Sequence, residues 1–267
     1  MISLLLRKLG LLRVVDYARF WYFKLKNRKR NLVFRQHYPS VALPPDYLMY
    51  ESFQLDYEKY YLGGRQTAQW VWEQVAPFLP SDSSGLKILD WGCGPARVVR
   101  HLPDLVPPST KIFATDYNQN SIEWNHSNLL GISFGINQLS PPLNFPDQTF
   151  HLVYAISIFT HLSEENHKKW MQEIRRILVP EGIFFFTTQG INFLGKLTPN
   201  EKRKFEKGNL IIRDRVLEGH RTYSAFHPPE YIKNICSPLH VIKHQTPIIQ
   251  NNKALPQDIW IIKKPAP

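Results

Sequence analysis

The sequence predicts an α/β fold: a doubly wound, mostly parallel sheet with helices on both faces. Three observations predict it. An apolar run, Leu86 to Leu89, ends in Asp90 and a glycine turn, and a second run, Ile112 to Thr115, ends in Asp116. Between residues 86 and 188, short apolar runs alternate with stretches of helical periodicity, the pattern of parallel strands joined by crossover helices.

Taken in order, the first 37 residues hold ten Lys or Arg against one acid, Asp16, so nearly all of the formal charge of +11 sits there. On a helical wheel Leu4, Leu11, Val14, Val15, Ala18, Trp21, Tyr22 and Leu25 share one side, with Arg7 intruding. Arg7-Lys8 interrupts the apolar run and no small-residue cleavage site follows, which argues against a secretory signal. Arg13, Asp16, Arg19 and Lys24 rule out a spanning helix, which needs roughly 20 apolar residues. Three readings stay open for this segment: a helix packed on the body, peripheral contact with an anionic membrane through residues 1–30, and phosphate binding of the kind that holds nucleic acid.

Pro39 to Pro45 reads as an extended connector, since Pro44-Pro45 cannot continue a helix. Gly63-Gly64-Arg65 is expected to open a helix over Thr67 to Phe78. Strands follow at 86–90, 111–115, 132–136, 151–157 and 182–188, with helices at 95–102, 119–130 and 164–177. Residues 190–227 read as an insertion of polar loops around a short charged helix, Pro199 to Lys207. With 267 residues, 43% of them hydrophobic, one large domain with additions is sufficient. The cysteines, Cys93 and Cys236, make no disulfide framework or paired-cysteine metal spacing, and a reducing, cytoplasmic setting fits. No histidine–carboxylate cluster at ligand spacing stands out, so no metal is expected.

In Asp90-Trp91-Gly92-Cys93-Gly94-Pro95-Ala96, two glycines permit a tight turn whose backbone comes close to a ligand, and an acid closing the next strand suits ribose hydroxyls. The dinucleotide fingerprint would need glycine where Arg97 stands. This turn, followed by Asp116, the loop and strand Asn144 to Tyr154, the segment Phe159-Thr160-His161-Leu162 and the run Leu178-Val179-Pro180-Glu181-Gly182, resembles the class I S-adenosylmethionine-dependent methyltransferases over roughly residues 57–190.

That resemblance implies a seven-stranded, Rossmann-like sheet with an antiparallel carboxyl-terminal strand, from a pair at Leu239 to Lys243 and Asp258 to Lys263. It divides the chain into an extension and linker, 1–45, and a methyltransferase domain, 46–267, with core 66–190, insertion 190–227 and terminal strands 228–267. It implies S-adenosylmethionine as cofactor, with Asp90, Gly92 and Gly94 along its methionine part, Asp116 on the ribose, Asn137 by the adenine, Ile156 after the fourth strand, and Arg65 as a partner for the carboxylate. Asn137 as a turn residue and Arg65 as a solvated helix-start residue are equal alternatives. His161 is the candidate base, at the carboxyl edge of the sheet, with a structural histidine as the alternative. Tyr223 and His227, with Tyr60 and Tyr61, are candidates for the acceptor side, against plain hydrophobic packing.

The basic amino terminus, the insertion and Gln257-Asp258-Ile259-Trp260 resemble methyltransferases of surface-polysaccharide and other glycan synthesis, which implies O-methylation of a sugar or glycan hydroxyl. The alternatives are an RNA or small-metabolite methyltransferase and a non-catalytic S-adenosylmethionine-binding subunit.

Overall fold

The structure is a computed structural model and describes residues 12–80, 85–249 and 254–266. The strands are β1 (Lys87–Trp91), β2 (Lys111–Asp116), β3 (Ile132–Ile136), β4 (Phe150–Ala155), β5 (Leu178–Thr188), β6 (Ile211–Arg213), β7 (Ser224–Phe226), β8 (His240–Gln245) and β9 (Asp258–Lys263). Among the described residues, seven of them form one sheet in the order β3-β2-β1-β4-β5-β9-β8, while β6 and β7 make a separate antiparallel pair inside the insertion. Strands β1 to β5 are parallel, and β9 runs antiparallel to both β5 and β8. The expected fold and its carboxyl-terminal antiparallel strand are therefore found. The pair β6 and β7 was not expected, because three residues per strand carry too little periodicity to read.

The helices are α1 (Leu12–Lys26), α2 (Arg28–His37), α3 (Asp46–Ser52), α4 (Tyr57–Val75), α5 (Gln119–Asn128), α6 (Glu164–Ile177), α7 (Pro199–Glu206) and α8 (Pro229–Cys236). Burial on both faces explains the continuous apolar runs of the central strands. Leu89, Trp91, Val153, Phe184 and Phe186 pack towards Trp170, Met171 and Ile174 of α6 and Ile232 of α8. Ile88, Leu152, Tyr154, Ile183 and Phe185 face the other way, towards Ala68, Val71 and Val75 of α4.

Two local expectations are corrected. Gly63-Gly64 lies inside α4 rather than at its start: the helix begins at Tyr57, where the Asp56 side chain accepts the Lys59 amide as N-cap. Glycine is needed at position 64 because a Cβ there would overlap the carbonyl oxygen of Arg97. The helix expected at 95–102 is a turn followed by a short 3₁₀ segment, Val99–Asp104, since Ala96 takes a left-handed φ of 58° and Pro103 lies within.

The amino-terminal helices pack on the body. Phe20 and Phe34 are buried with Met49, Tyr50, Leu55, Tyr57 and Tyr60. Helix α1 thereby turns inward the side opposite to its sequence-defined apolar stripe; the part of that stripe at Leu4 and Leu11 lies outside the described residues. Arg30 pairs at 2.8 Å with Asp56, so the N-cap of α4 also anchors α2.

Gly64→Ala should destabilise the protein by about 1–3 kcal/mol in denaturant unfolding, because the methyl group must displace backbone. A neutral result would mean that α4 and the turn after β1 separate without cost.

Candidate functional site

Strand order reverses between β1 and β4, and in open parallel sheets ligands sit outside the carboxyl ends of the strands at such a point. A cavity of about 240 Å³ lies there. Gly92, Gly94 and Pro95 come to it from the turn after β1, Asp116, Tyr117 and Asn118 from the end of β2, and Ile156, Ser157, Ile158 and His161 from the segment after β4. A smaller pocket adjoins it, lined by Trp91, Asn137, Leu139, Leu162 and Trp170 and sharing Gly92, Asp116, Tyr117, Ile158, His161 and Gly219 with the first.

The turn is built from backbone hydrogen bonds. Gly92 and Cys93 both donate to the Thr115 carbonyl, at 2.8 and 3.0 Å. Gly92 has φ of 83° and Gly94 of 51°, and a Cβ on Gly92 would overlap Ile158 across the cavity. Asp116 ties the loops together: one carboxylate oxygen accepts the Gly94 amide and the other the Asn118 amide, each at 2.8 Å. Burial raises its pKa, and these amides oppose that shift. Both oxygens keep a lone pair for donors in the cavity.

His161 reaches the cavity from a short 3₁₀ turn, Phe159–His161. Its Nδ1 lies 3.0 Å from the Tyr223 carbonyl, which can only accept. The proton is therefore on Nδ1, and Nε2 holds the free lone pair. Burial lowers the His161 pKa, keeping the ring neutral at pH 7, although the Tyr223 carbonyl pulls the other way. Ser157 beside it adopts φ of 67°, held by the Thr187 hydroxyl on its amide and by the Gln257 side chain on its own hydroxyl.

The remaining wall comes from distant sequence. Helix α3 supplies Leu48, Glu51 and Ser52, and the insertion supplies Gly219, His220 and Arg221. The Tyr117 hydroxyl donates to the Gly219 carbonyl at 3.1 Å, and the Gly219 amide donates to the His161 carbonyl at 2.8 Å. Arg221 donates to the Tyr50 carbonyl at 2.8 Å, lies over the Tyr50 ring and pairs with Asp16 of α1 at 3.1 Å. Burial raises the Glu51 pKa, and Arg221 moderates the effect. Sequence reasoning missed Glu51, Ser52, Tyr117 and Arg221, and no local motif could have found them.

Of the expected site residues, Gly92, Gly94, Asp116, Asn137, Ile156 and His161 line the two cavities. Asp90 does not line them. It is buried beneath the turn, where the Tyr154 hydroxyl donates to it at 2.7 Å, and burial pushes its pKa up to about 7. Arg65 is exposed on α4, away from both cavities. Tyr223 is buried and meets His161 through its carbonyl, while the His227 ring is fully buried against His167, 5.0 Å between centroids. Tyr60 is buried behind the turn, where its hydroxyl donates to the Pro95 carbonyl, and Tyr61 packs against His101. Among the described residues no group of three His, Cys, Asp or Glu is placed to hold a metal ion.

The two cavities fit a nucleoside with a charged tail. Asp116 presents acceptor capacity at their junction, and the Asn137 Oδ1 is buried without a partner in the smaller, mainly apolar pocket, where an exocyclic amine would satisfy it. Residues 88–182 match the family described as "Methyltransferase domain". The chain carries a class I S-adenosylmethionine-dependent methyltransferase domain. S-adenosylmethionine is its cofactor.

The domain is similar in fold to S-adenosylmethionine-dependent methyltransferases of known structure. One from Methanosarcina mazei is 16% identical, with 73% of this chain and 98% of that one covered and a TM-score of 0.54. One from Mesorhizobium loti is 15% identical, with 72% and 97% covered and a TM-score of 0.56. A third, from Clostridium acetobutylicum, is 14% identical, with 74% and 91% covered and a TM-score of 0.52.

Asp116→Asn should weaken S-adenosylhomocysteine binding about ten- to a hundredfold by calorimetry, because it removes charged acceptors and disturbs the turn. Asp90 gives a pH signature. Its pKa is raised from 3.8 to about 7, so the stability it contributes is full below 3.8 and is lost as pH rises through about 7. Asp90→Asn should gain in melting temperature relative to the parent, both free of cofactor, as pH rises across that window. A constant difference would show that Asp90 ionises normally.

Proposed function

We propose that the chain transfers the methyl group of S-adenosylmethionine to a hydroxyl oxygen of a sugar or glycan intermediate, with His161 as general base. The observation that carries this reading is His161 itself: a neutral ring, its Nδ1 proton committed to the Tyr223 carbonyl, its Nε2 free to take a proton. The cofactor supplies an electrophilic methyl group on a sulfonium. His161 Nε2 would take the proton of the acceptor hydroxyl as that oxygen receives the methyl group. Asp116 would hold the ribose hydroxyls, the turn at Gly92 and Gly94 would meet the methionine part, and Asn137 would accept from the adenine amine.

The wall beyond the cofactor favours a hydroxyl-rich acceptor. Glu51, Ser52, Ser157, His220 and Arg221 surround it, with Tyr117 as the aromatic side chain of the larger cavity. Hydroxyl groups match carboxylate, hydroxyl and guanidinium partners.

Incubation with radiolabelled cofactor and fractionated extract should place label in a glycan or lipid-linked sugar fraction, in base-stable ether linkage. Label confined to RNA would overturn the acceptor reading. With an acceptor in hand, His161→Gln should lower kcat about 10²- to 10⁴-fold while leaving cofactor affinity within about threefold. The neutral ring is the active form and its pKa is depressed from 6.5, so the acid limb of kcat should fall below that pH. A limb above it would remove His161 as base.

A further inference from the structure

Helix α1 is amphipathic, yet its apolar side faces out. Val14, Ala18, Trp21 and Leu25 follow helical spacing along one exposed stripe, with Val15 and Tyr22 beside it; Val14 and Leu25 are each 68% exposed. The body receives the opposite side: the Tyr50 hydroxyl donates to the Asp16 carboxylate at 2.9 Å, and Phe20 is buried. The stripe continues into α2 through exposed Leu32 and Val33. A surface helix ordinarily buries its apolar stripe, and a contiguous exposed one marks an interaction surface.

Its margins are cationic. Lys24 lies 5.4 Å from the Trp21 ring centre and Lys26 5.5 Å from that of Tyr22, while Arg19, Arg28, Lys29 and Arg35 are exposed around the stripe. A groove of about 420 Å³ between α1 and α2 is lined by Trp21, Leu25 and Leu32 together with Lys24, Arg28, Arg35 and one acid, Asp46, which pairs with Lys24 at 3.1 Å. Within α1 and α2 the only acid is Asp16, and it is engaged by Arg221 on the inward side.

We propose that the outward face of α1 and α2 docks on an anionic bilayer surface, Val14, Trp21, Leu25 and Leu32 entering the interface and the flanking Lys and Arg side chains meeting lipid phosphates. Charge decides between occupants. A second copy would set basic margin against basic margin, whereas an anionic surface neutralises both. RNA would engage the cations and leave the apolar stripe in water. Apolar anchors with basic flanks are the composition of helices that lie in the membrane interface. Spanning is a different matter: among the described residues no helix is long and apolar enough to cross a membrane. The docking face stands apart from the cavity, so it does not rest on the identity of the acceptor.

The test is flotation of the full chain with phosphatidylcholine vesicles, with and without about 30% phosphatidylserine, in the absence of acceptor. Binding is expected only to the anionic vesicles, and to fall as salt rises. Trp21→Ser with Leu25→Ser should reduce the bound fraction at least about tenfold, and Lys26→Glu with Arg28→Glu comparably, with melting temperature and S-adenosylhomocysteine binding unchanged. Equal binding by the Trp21 and Leu25 variant would overturn the proposal. So would a dimer by light scattering that this variant dissociates, or binding to RNA alone. Failure to find a glycan acceptor would leave the vesicle result standing.

Discussion

The site depends on the Asp116 carboxylate. Its two oxygens are held by the amides of Gly94 and Asn118, so one side chain sets the distance between the turn after β1 and the loop after β2. Burying an anion is costly unless donors meet it, and here the donors are backbone groups that cannot leave without unwinding the turns they belong to. The Thr115 carbonyl repeats the link by accepting from Gly92 and Cys93. With those loops joined, the gap at the strand-order reversal becomes a cavity of fixed shape, with His161 facing it from the 3₁₀ turn after β4 on the other bank.

The other side of the cavity is assembled differently. Its walls are drawn from α3 and from the insertion, and they are secured to the cofactor loops by single contacts: the Tyr117 hydroxyl on Gly219, the Gly219 amide on the His161 carbonyl, and Arg221 on Tyr50 and Asp16. His161 is thereby positioned twice, by its own backbone and by the Tyr223 carbonyl that fixes its tautomer. A methyl transfer needs alignment more than elaborate chemistry, and here the insertion grips the segment that carries His161.

What could be read from the sequence follows the range of the interactions. The central strands were legible because burial on both faces makes β1, β2, β4 and β5 continuous apolar runs. Gly92, Gly94, Asp116 and His161 were legible because each lies within a few residues of a strand end. Gly64 was misread as a helix opener: its reason is the Arg97 carbonyl, 33 positions on, which no local pattern reveals. Arg221 meets Tyr50 across 171 positions, and the Asp90 side chain turned under its turn to Tyr154, 64 positions away, instead of into the cavity. The outward orientation of α1 was equally hidden, since periodicity identifies an apolar face without saying which face the body will accept.

Helix α1 therefore carries two independent messages on opposite faces. Positions 16, 20 and 23 answer to the protein, through Arg221, Tyr50 and the buried aromatic cluster, and positions 14, 18, 21 and 25 answer to the surroundings. Because the two sets interleave at helical spacing, inserting or deleting a single residue in α1 would rotate every residue beyond it by about 100°, taking both sets out of register at once.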